Sequence, residues 1–590
     1  MKRLFFLICT ILLISPAFSA NSIIIGVRDL GNNTYQGVIA NLEVTMNNNG
    51  TGHVFIDTMP LTEIDTQTSA RLARDVACET LLINCSDKDF YYVIRGEFPM
   101  IGGPSAGAAM SVLTMSELAN TPLIRNTAMT GTVNPDGSVG PIGGVLEKAI
   151  AASEYGITIF LIPVGQGSEI GNYTFQNNMR IIEVSTVREA YSIFTGTTEN
   201  HVNDTIDFAS FNEVMAPMAE RLINYSNTAF DELNKDLSSN NTVDQSMILL
   251  VNQTISQREE TIYLYNNGSY YSAASYAVGS SVSSLYIKYY IEYLNAENKT
   301  TYLNGLFSHT SDYINQVELE LDQPQRIDNI NDIEAVNTAI DRLFEAKELY
   351  NAALEINAEE GLPNILYNLA FVEVRLKTAE SWITLKDVFT GSLSITLTQD
   401  SMRDFALQRL DEASTMITYS NSLLYNTEIN TAQEQLDNSR KAYNEGNYIY
   451  SIFESLRAIS NSNLAIEMQG ISEEQLSQRI NLSKQLAREN INSAQNSRVM
   501  PILALSYYEY SGQFEDISPQ QTLMFLEYAK QFAKLSTQMA YNIAGPLVNQ
   551  EPANYTIDNK DVGSSFVIIF IIIILAALVI LYAVFKLLGI

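Results

Sequence analysis

The sequence predicts an α+β domain, then a mainly α-helical domain of stacked helical hairpins, then one C-terminal transmembrane helix. Three observations carry this. Strand-type and helix-type patterns alternate between residues 22 and 198. From 205 to 555 glycine becomes sparse, and Leu, Ile, Tyr and Ala recur at helical spacing. Residues 566–588 form an apolar run whose one charge, Lys586, lies near its close.

The first domain divides as follows. Residues 23–27, 38–46 and 53–57 read as strands, the last following an Asn- and Gly-rich turn at 47–52. Residues 66–82 read as a helix and 90–94 as a short buried strand. A helix rich in Ala, Met and Leu covers 105–118. Residues 128–133 and 138–141 flank Pro135-Asp136-Gly137, a hairpin signal. A helix at 144–155, a strand at 158–163 and a helix at 187–194 complete the domain.

In the second domain two segments resemble each other. Tyr265-Asn266-Asn267-Gly268-Ser269-Tyr270 and Tyr443-Asn444-Glu445-Gly446-Asn447-Tyr448 each precede a helix rich in small residues. Both read as helix, Gly turn, helix with an aromatic lid, the grammar of stacked helical hairpins, although no 34-residue period holds. Residues 551–563 are polar and read as a stalk.

The chain ends predict location. Lys2 and Arg3 precede an apolar run at 4–14 and then Ser15-Pro16-Ala17-Phe18-Ser19-Ala20, the pattern of a signal peptide over 1–19 cleaved after Ser19. With the apolar run at 566–588, this predicts a single-pass cell-membrane protein, held by its C-terminal helix, with both domains outside the cytoplasm. Asn49-Gly50-Thr51, Asn172-Tyr173-Thr174 and Asn298-Lys299-Thr300 are glycosylation acceptor patterns, which an Asn-rich chain also produces by chance. Without Cys9 of the signal segment, Cys78 and Cys85 remain, either joined in a local disulfide or buried as free thiols.

Composition excludes some functions. At 46% hydrophobic and 17% charged, the 590 residues can bury large cores, so the chain is not disordered as a whole. A net charge of −31 argues against nucleic acid, since phosphate contacts need clustered Lys and Arg. Only His53, His201 and His309 exist, which disfavours a His-ligated metal; no metal and no cofactor is expected.

The chemistry centres on two motifs. In Gly102-Gly103-Pro104-Ser105-Ala106-Gly107, a Ser among small residues opens a helix, where backbone N–H groups and the helix dipole can stabilise an oxyanion. By itself this fits a helix-capping Ser equally well. The second motif runs Thr130-Gly131-Thr132-Val133, Gly137-Ser138-Val139-Gly140-Pro141-Ile142-Gly143-Gly144, then Glu147-Lys148. Together the motifs resemble the proteolytic domain of Lon proteases. The resemblance covers roughly residues 22–198, and the pattern is most similar to archaeal secreted or membrane-anchored Lon-like serine proteases that lack the ATPase.

That resemblance implies a serine endopeptidase acting on proteins or peptides, with Ser105 as nucleophile and Lys148 as general base. Lys148 lies 43 residues after Ser105, the family's spacing for its Ser–Lys dyad. Thr130 and Gly103 are implied in supporting roles, Thr130 close to the Lys. A Lys acts as a base only when neutral, so its site must disfavour charge. Gly102 stands where the family often has Asp, which leaves Glu97 and Asp136 as candidate assisting acids. No Gly-x-x-x-x-Gly-Lys-Ser/Thr loop occurs, so cleavage independent of ATP is expected. Lon-like domains often form rings, and the sequence leaves homo-oligomerisation open.

Two rival readings stand beside this one. Gly103-Pro104-Ser105-Ala106-Gly107 also matches the Gly-x-Ser-x-Gly nucleophile elbow. Pro99 and the glycine pair spoil the strand that elbow requires before its Ser, and no His follows within the domain. Alternatively the protein is a catalytically inactive Lon-like cell-surface scaffold or binding protein whose helical region carries the function.

Overall fold

The computed structural model describes residues 19–543, apart from 32–34, 82, 198–204, 240–244, 322–328, 387, 389–398, 424–426, 469–470 and 472. These residues form one compact unit. Its first part is built on two sheets and a hairpin. The strands are β1 (Ala20–Asp29), β2 (Tyr35–Asn47), β3 (Val54–Thr62), β4 (Asp89–Ile101), β5 (Thr127–Met129), β6 (Thr132–Val133), β7 (Val139–Gly140), β8 (Ile159–Pro163) and β9 (Arg180–Val184). The helices among them are α1 (Ile64–Thr80), α2 (Gly107–Ala119), α3 (Val145–Tyr155) and α4 (Val187–Thr195).

The first sheet has the order β1-β2-β4-β3. β1–β2 and β2–β4 are antiparallel, with Ile24 opposite Ala40 and Leu42 opposite Ile94, whereas β3–β4 is parallel, with Ile56 opposite Tyr92. Alternation explains β2: Ala40, Leu42 and Val44 are buried while Asn41 and Glu43 point to solvent. The second sheet, β5-β8-β9, is entirely parallel. Parallel neighbours need crossovers, and α3 lies between β5 and β8. The domain is therefore α/β, which corrects the expected α+β class. β9 was not read from the sequence, although Ile181, Ile182 and Val184 are its signal.

Small residues decide how α2 sits. Gly107, Ala108 and Ala109 let the helix be buried almost from end to end beneath the first sheet. A Cβ on Gly107 would lie 2.8 Å from Val133 Cγ1. The helix stops at Asn120, whose left-handed backbone caps it. Cys78 and Cys85 are disulfide-bonded, tying the end of α1 to the loop that enters β4.

The rest of the unit is helical: α5 (Ala209–Ser239), α6 (Gln245–Asn266), α7 (Tyr270–Asn295), α8 (Lys299–Leu321), α9 (Ile330–Glu355), α10 (Ala358–Ile383), α11 (Gln399–Leu423), α12 (Thr427–Asn444), α13 (Tyr448–Glu467), α14 (Glu473–Asn496), α15 (Ile502–Ser511) and α16 (Pro519–Ile543). The two similar segments are the turns α6–α7 and α12–α13. Gly268 and Gly446 both take φ +81°, and their flanking tyrosines meet at ring distances of 5.1 and 5.4 Å. One continuous apolar cluster joins Val76 and Met110 of the α/β part to Phe211, Phe405, Phe453 and Phe532 of the helices.

Among the described residues no helix is long and apolar enough to cross a membrane. Each long helix mixes buried apolar positions with charged ones, as α7 does with Lys288 and Glu292. The fold class is corrected accordingly: an α/β domain and a helical region, with no membrane-spanning helix in the described fold. The single-pass membrane localisation, with both domains outside the cytoplasm, rested on the 566–588 helix and is corrected with it. Residues 566–588, the stalk at 551–563 and residues 1–18 of the expected signal peptide lie outside the described residues.

A Cβ on Gly446 would meet no atom within 4 Å, so Gly446→Ala tests backbone strain alone. It should lower the unfolding free energy by about 1–2 kcal/mol, read from a shifted denaturant midpoint with unchanged slope.

Candidate active site

β4 delivers the chain into a turn at 102–106, from which α2 starts. Gly103 takes φ +89°, a conformation L side chains rarely adopt, and its N–H donates to Asp65 Oδ2 at 2.8 Å. Glu63 lies beside Gly102, where a Cβ would be 2.3 Å from Glu63 Oε2. Ser105 follows, half-buried. Its carbonyl accepts from Gly131 N at 2.9 Å and from Thr130 Oγ1 at 3.3 Å, which pins the turn to the segment between β5 and β6. That segment tolerates only glycine at 131, since a Cβ there would come within 2.4 Å of Val139 Cγ1.

Lys148 approaches from the opposite side. Gly144, at φ +69°, starts α3 against β1, where a Cβ would be 2.7 Å from Val27 Cγ2. This sets Lys148 one turn into the helix, with 3% of its surface exposed. Its Nζ donates to Thr130 Oγ1 at 3.3 Å. Among the described residues it has no carboxylate partner. Burial therefore acts unopposed and brings its pKa down to about 8.

The structure thus gathers Ser105, Thr130 and Lys148, with Thr130 joining the backbone of the first to the side chain of the last. It does not join the two functional atoms directly: among the described residues the Ser105 hydroxyl has no hydrogen-bond partner. The amides of Ser105 and Ala106 likewise have no acceptor there, and both lie at the positive end of α2. Gly103 is different, because Asp65 already occupies its amide. His53 is bonded to Thr51, His309 lies in the helical region and His201 is outside the described residues, so no imidazole serves the rival elbow reading among the described residues.

Neither candidate acid stands at this site as expected. Glu97 is exposed on β4. Asp136 faces the helical region, its side chain fully buried with Lys530 Nζ at 2.7 Å and Arg479 Nη2 at 3.4 Å. Lys530 also holds Glu467 at 3.0 Å and Glu527 at 2.6 Å, and Arg479 holds Glu467 at 2.8 Å. Burial alone would raise the Asp136 carboxyl, but Lys530 and Arg479 keep it well below its ordinary value. Burial pushes the Glu467 carboxyl upward against the pull of Arg479 and Lys530. Asp136, Glu467 and Glu527 are close enough to share a metal ion, but the cation among them is the Lys530 ammonium. The sequence reading found neither Asp65 nor this cluster. Asp136 and Lys530 are 394 positions apart, and no spacing rule connects them.

Residues 66–194 match the family described as the Lon protease (S16) C-terminal proteolytic domain. Similar proteins include the Lon protease of Neorickettsia sennetsu, 44% identical over 90 residues, 15% of this chain and 11% of that protein. The Lon protease of Buchnera aphidicola is 51% identical over 83 residues, 13% and 11%. That of Paraburkholderia phytofirmans is 34% identical over 119 residues, 19% and 15%. The chain thus spans between 11% and 15% of the length of these relatives. They do not bear on the archaeal, membrane-anchored kinship expected from the motifs.

Two variants measure the buried lysines. Lys148 is charged below pH 8 in the folded state but up to about pH 10.4 when unfolded, so its burial costs stability at neutral pH. Lys148→Met should therefore raise the unfolding free energy at pH 7 by about 1–3 kcal/mol. That gain should shrink as pH rises from about 8 to 10.4, where the wild type is relieved of the charge. Lys530→Met strands buried carboxylates instead. It should cost on the order of 3–5 kcal/mol, seen as a lower Tm and a lower denaturant midpoint.

Proposed function

We propose that this chain is a serine endopeptidase in which Ser105 is the nucleophile and Lys148 the general base. One observation carries the reading: Lys148 is buried without a carboxylate beside the turn that presents Ser105, and Thr130 links the two. A solvated or ion-paired lysine would stay charged, whereas this one loses its proton near pH 8 and becomes a usable base. The match of residues 66–194 to a proteolytic domain supports the same reaction class.

In this mechanism a side-chain rotation brings Ser105 Oγ to the lysine amine. Oγ attacks the peptide carbonyl while Lys148 takes its proton. The tetrahedral oxyanion accepts hydrogen bonds from the Ser105 and Ala106 amides at the start of α2. The Lys148 ammonium then protonates the leaving amine, the acyl group remains on Ser105, and a water activated by Lys148 releases it. Thr130 orients the amine, and Asp65 holds the glycine turn in place through the Gly103 amide. The absence of a nucleotide-binding loop from this sequence supports cleavage without ATP hydrolysis by this chain.

The inactive-scaffold reading leaves Lys148 without a purpose, because an unpaired buried ammonium only destabilises a fold that does not use it.

The test is cleavage of an unfolded protein and of small peptides by the full chain. Activity should rise with pH through about 8 and then level off, since only the deprotonated lysine works. Ser105→Ala should reduce turnover at least about a thousandfold, and so should Lys148→Arg, which stays charged at usable pH. Wild-type cleavage by either variant moves the chemistry elsewhere.

A further inference from the structure

A cavity of about 490 Å³ opens among α5, α7, α8 and α10, within the helical region. Its size is that of a small-molecule or side-chain pocket. Tyr225, Tyr289 and Tyr302 supply aromatic wall, with Leu285 and Leu306 beside them. Its charge is unbalanced: Glu232, Glu292 and Glu373 line it against the single lysine, Lys288. Lys288 Nζ is 2.6 Å from Glu232 and 4.0 Å from Glu292, so it is already engaged.

Glu373 is the distinctive group. It accepts hydrogen bonds from Tyr225 Oη at 3.0 Å and from Tyr289 Oη, and among the described residues it has no ion-pair partner. Burial and the carboxylate itself hold both phenols protonated well above their ordinary range. Glu373 therefore meets neutral donors directly and the Lys288 ammonium only at longer range, and it faces a cavity with aromatic walls. Carboxylates with tyrosine faces are the chemistry that takes up an organic cation, through charge-assisted hydrogen bonds and cation–π contact.

We propose that this cavity binds an alkylammonium or guanidinium group, carried on a basic side chain of a polypeptide. The polypeptide as carrier rests on the peptidase reading; the cation chemistry does not. Bound there, a lysine or arginine side chain would place the carbonyl skeleton of its chain on the outer surface of the helical region. The helices would then favour substrates with basic residues, a sensible preference in a chain whose net charge is −31.

The test uses calorimetric titration of the full chain carrying Ser105→Ala, so that binding is read without turnover and stands apart from any failure of the peptidase assignment. The probes are Nα-acetyl-lysine methylamide, its arginine counterpart, and Nα-acetyl-norleucine methylamide as the uncharged analogue. The two cations should bind, with norleucine at least about tenfold weaker. Adding Glu373→Gln should weaken the cations by about tenfold or more, with thermal melting to confirm its fold. A blocked hexapeptide with a central lysine and free 1,5-diaminopentane distinguish the carriers. Peptide binding that Glu373→Gln weakens supports the proposal. Binding of the diamine alone overturns the polypeptide carrier. No cation binding, equal norleucine binding, or an unaffected Glu373→Gln chain overturns the site.

Discussion

The Lys530 ammonium, sealed from water, is held by Asp136 from the β6–β7 hairpin and by Glu467 and Glu527 from α13 and α16. A buried charge is tolerable only when its partners are all in place, because each one lost leaves an ion without solvent or counterion. Arg479 on α14 closes the set by reaching Asp136, Glu467 and the Ser138 hydroxyl. The cluster therefore behaves as an all-or-none joint between the α/β domain and the helices. It lies within a continuous apolar core, and the core alone would allow the two parts to slide. The ion cluster supplies the direction that apolar contact lacks.

The consequence reaches the candidate active site through the backbone. β6 follows directly on Thr130-Gly131, and β7 leads through Pro141 and the paired glycines to α3 and Lys148. Holding the Asp136 loop thus fixes both ends of the segment that brings Thr130 and Lys148 together. The helical region is in this sense a support for the site's geometry as well as a neighbour of it.

Two buried lysines in one chain show how environment assigns role. Lys530 is surrounded by carboxylates, and its pKa is raised despite complete burial. Lys148 has only a threonine hydroxyl, and burial lowers it to about 8. The first is locked as a permanent cation and serves structure. The second is left near the point where a proton can come and go, the property a general base needs. Glu373 in the helical cavity is hydrogen-bonded by two phenols, and the Lys288 ammonium acts on it only at longer range.

Local pattern alone determined much of this protein. Alternation in Ala40, Leu42 and Val44 marks β2, the small residues of 105–110 mark the start of a buried helix, and the repeated Tyr-x-x-Gly-x-Tyr segments mark two helical hairpins. These are short-range consequences of side-chain size, period and glycine's freedom at positive φ, so they are legible in one dimension. Ser105, Thr130 and Lys148 form a set only through the family resemblance their two motifs carry, since local pattern by itself reads Ser105 equally well as a helix cap. Local pattern also misled: it could not separate α+β from α/β, because strand direction in β5-β8-β9 depends on how the chain crosses over. It read a membrane-spanning helix that is absent from the described fold. Only tertiary structure decided where Asp136 goes. Its partners come from α13, α14 and α16, hundreds of residues away, and what brings them together is the cost of burying a charge without them.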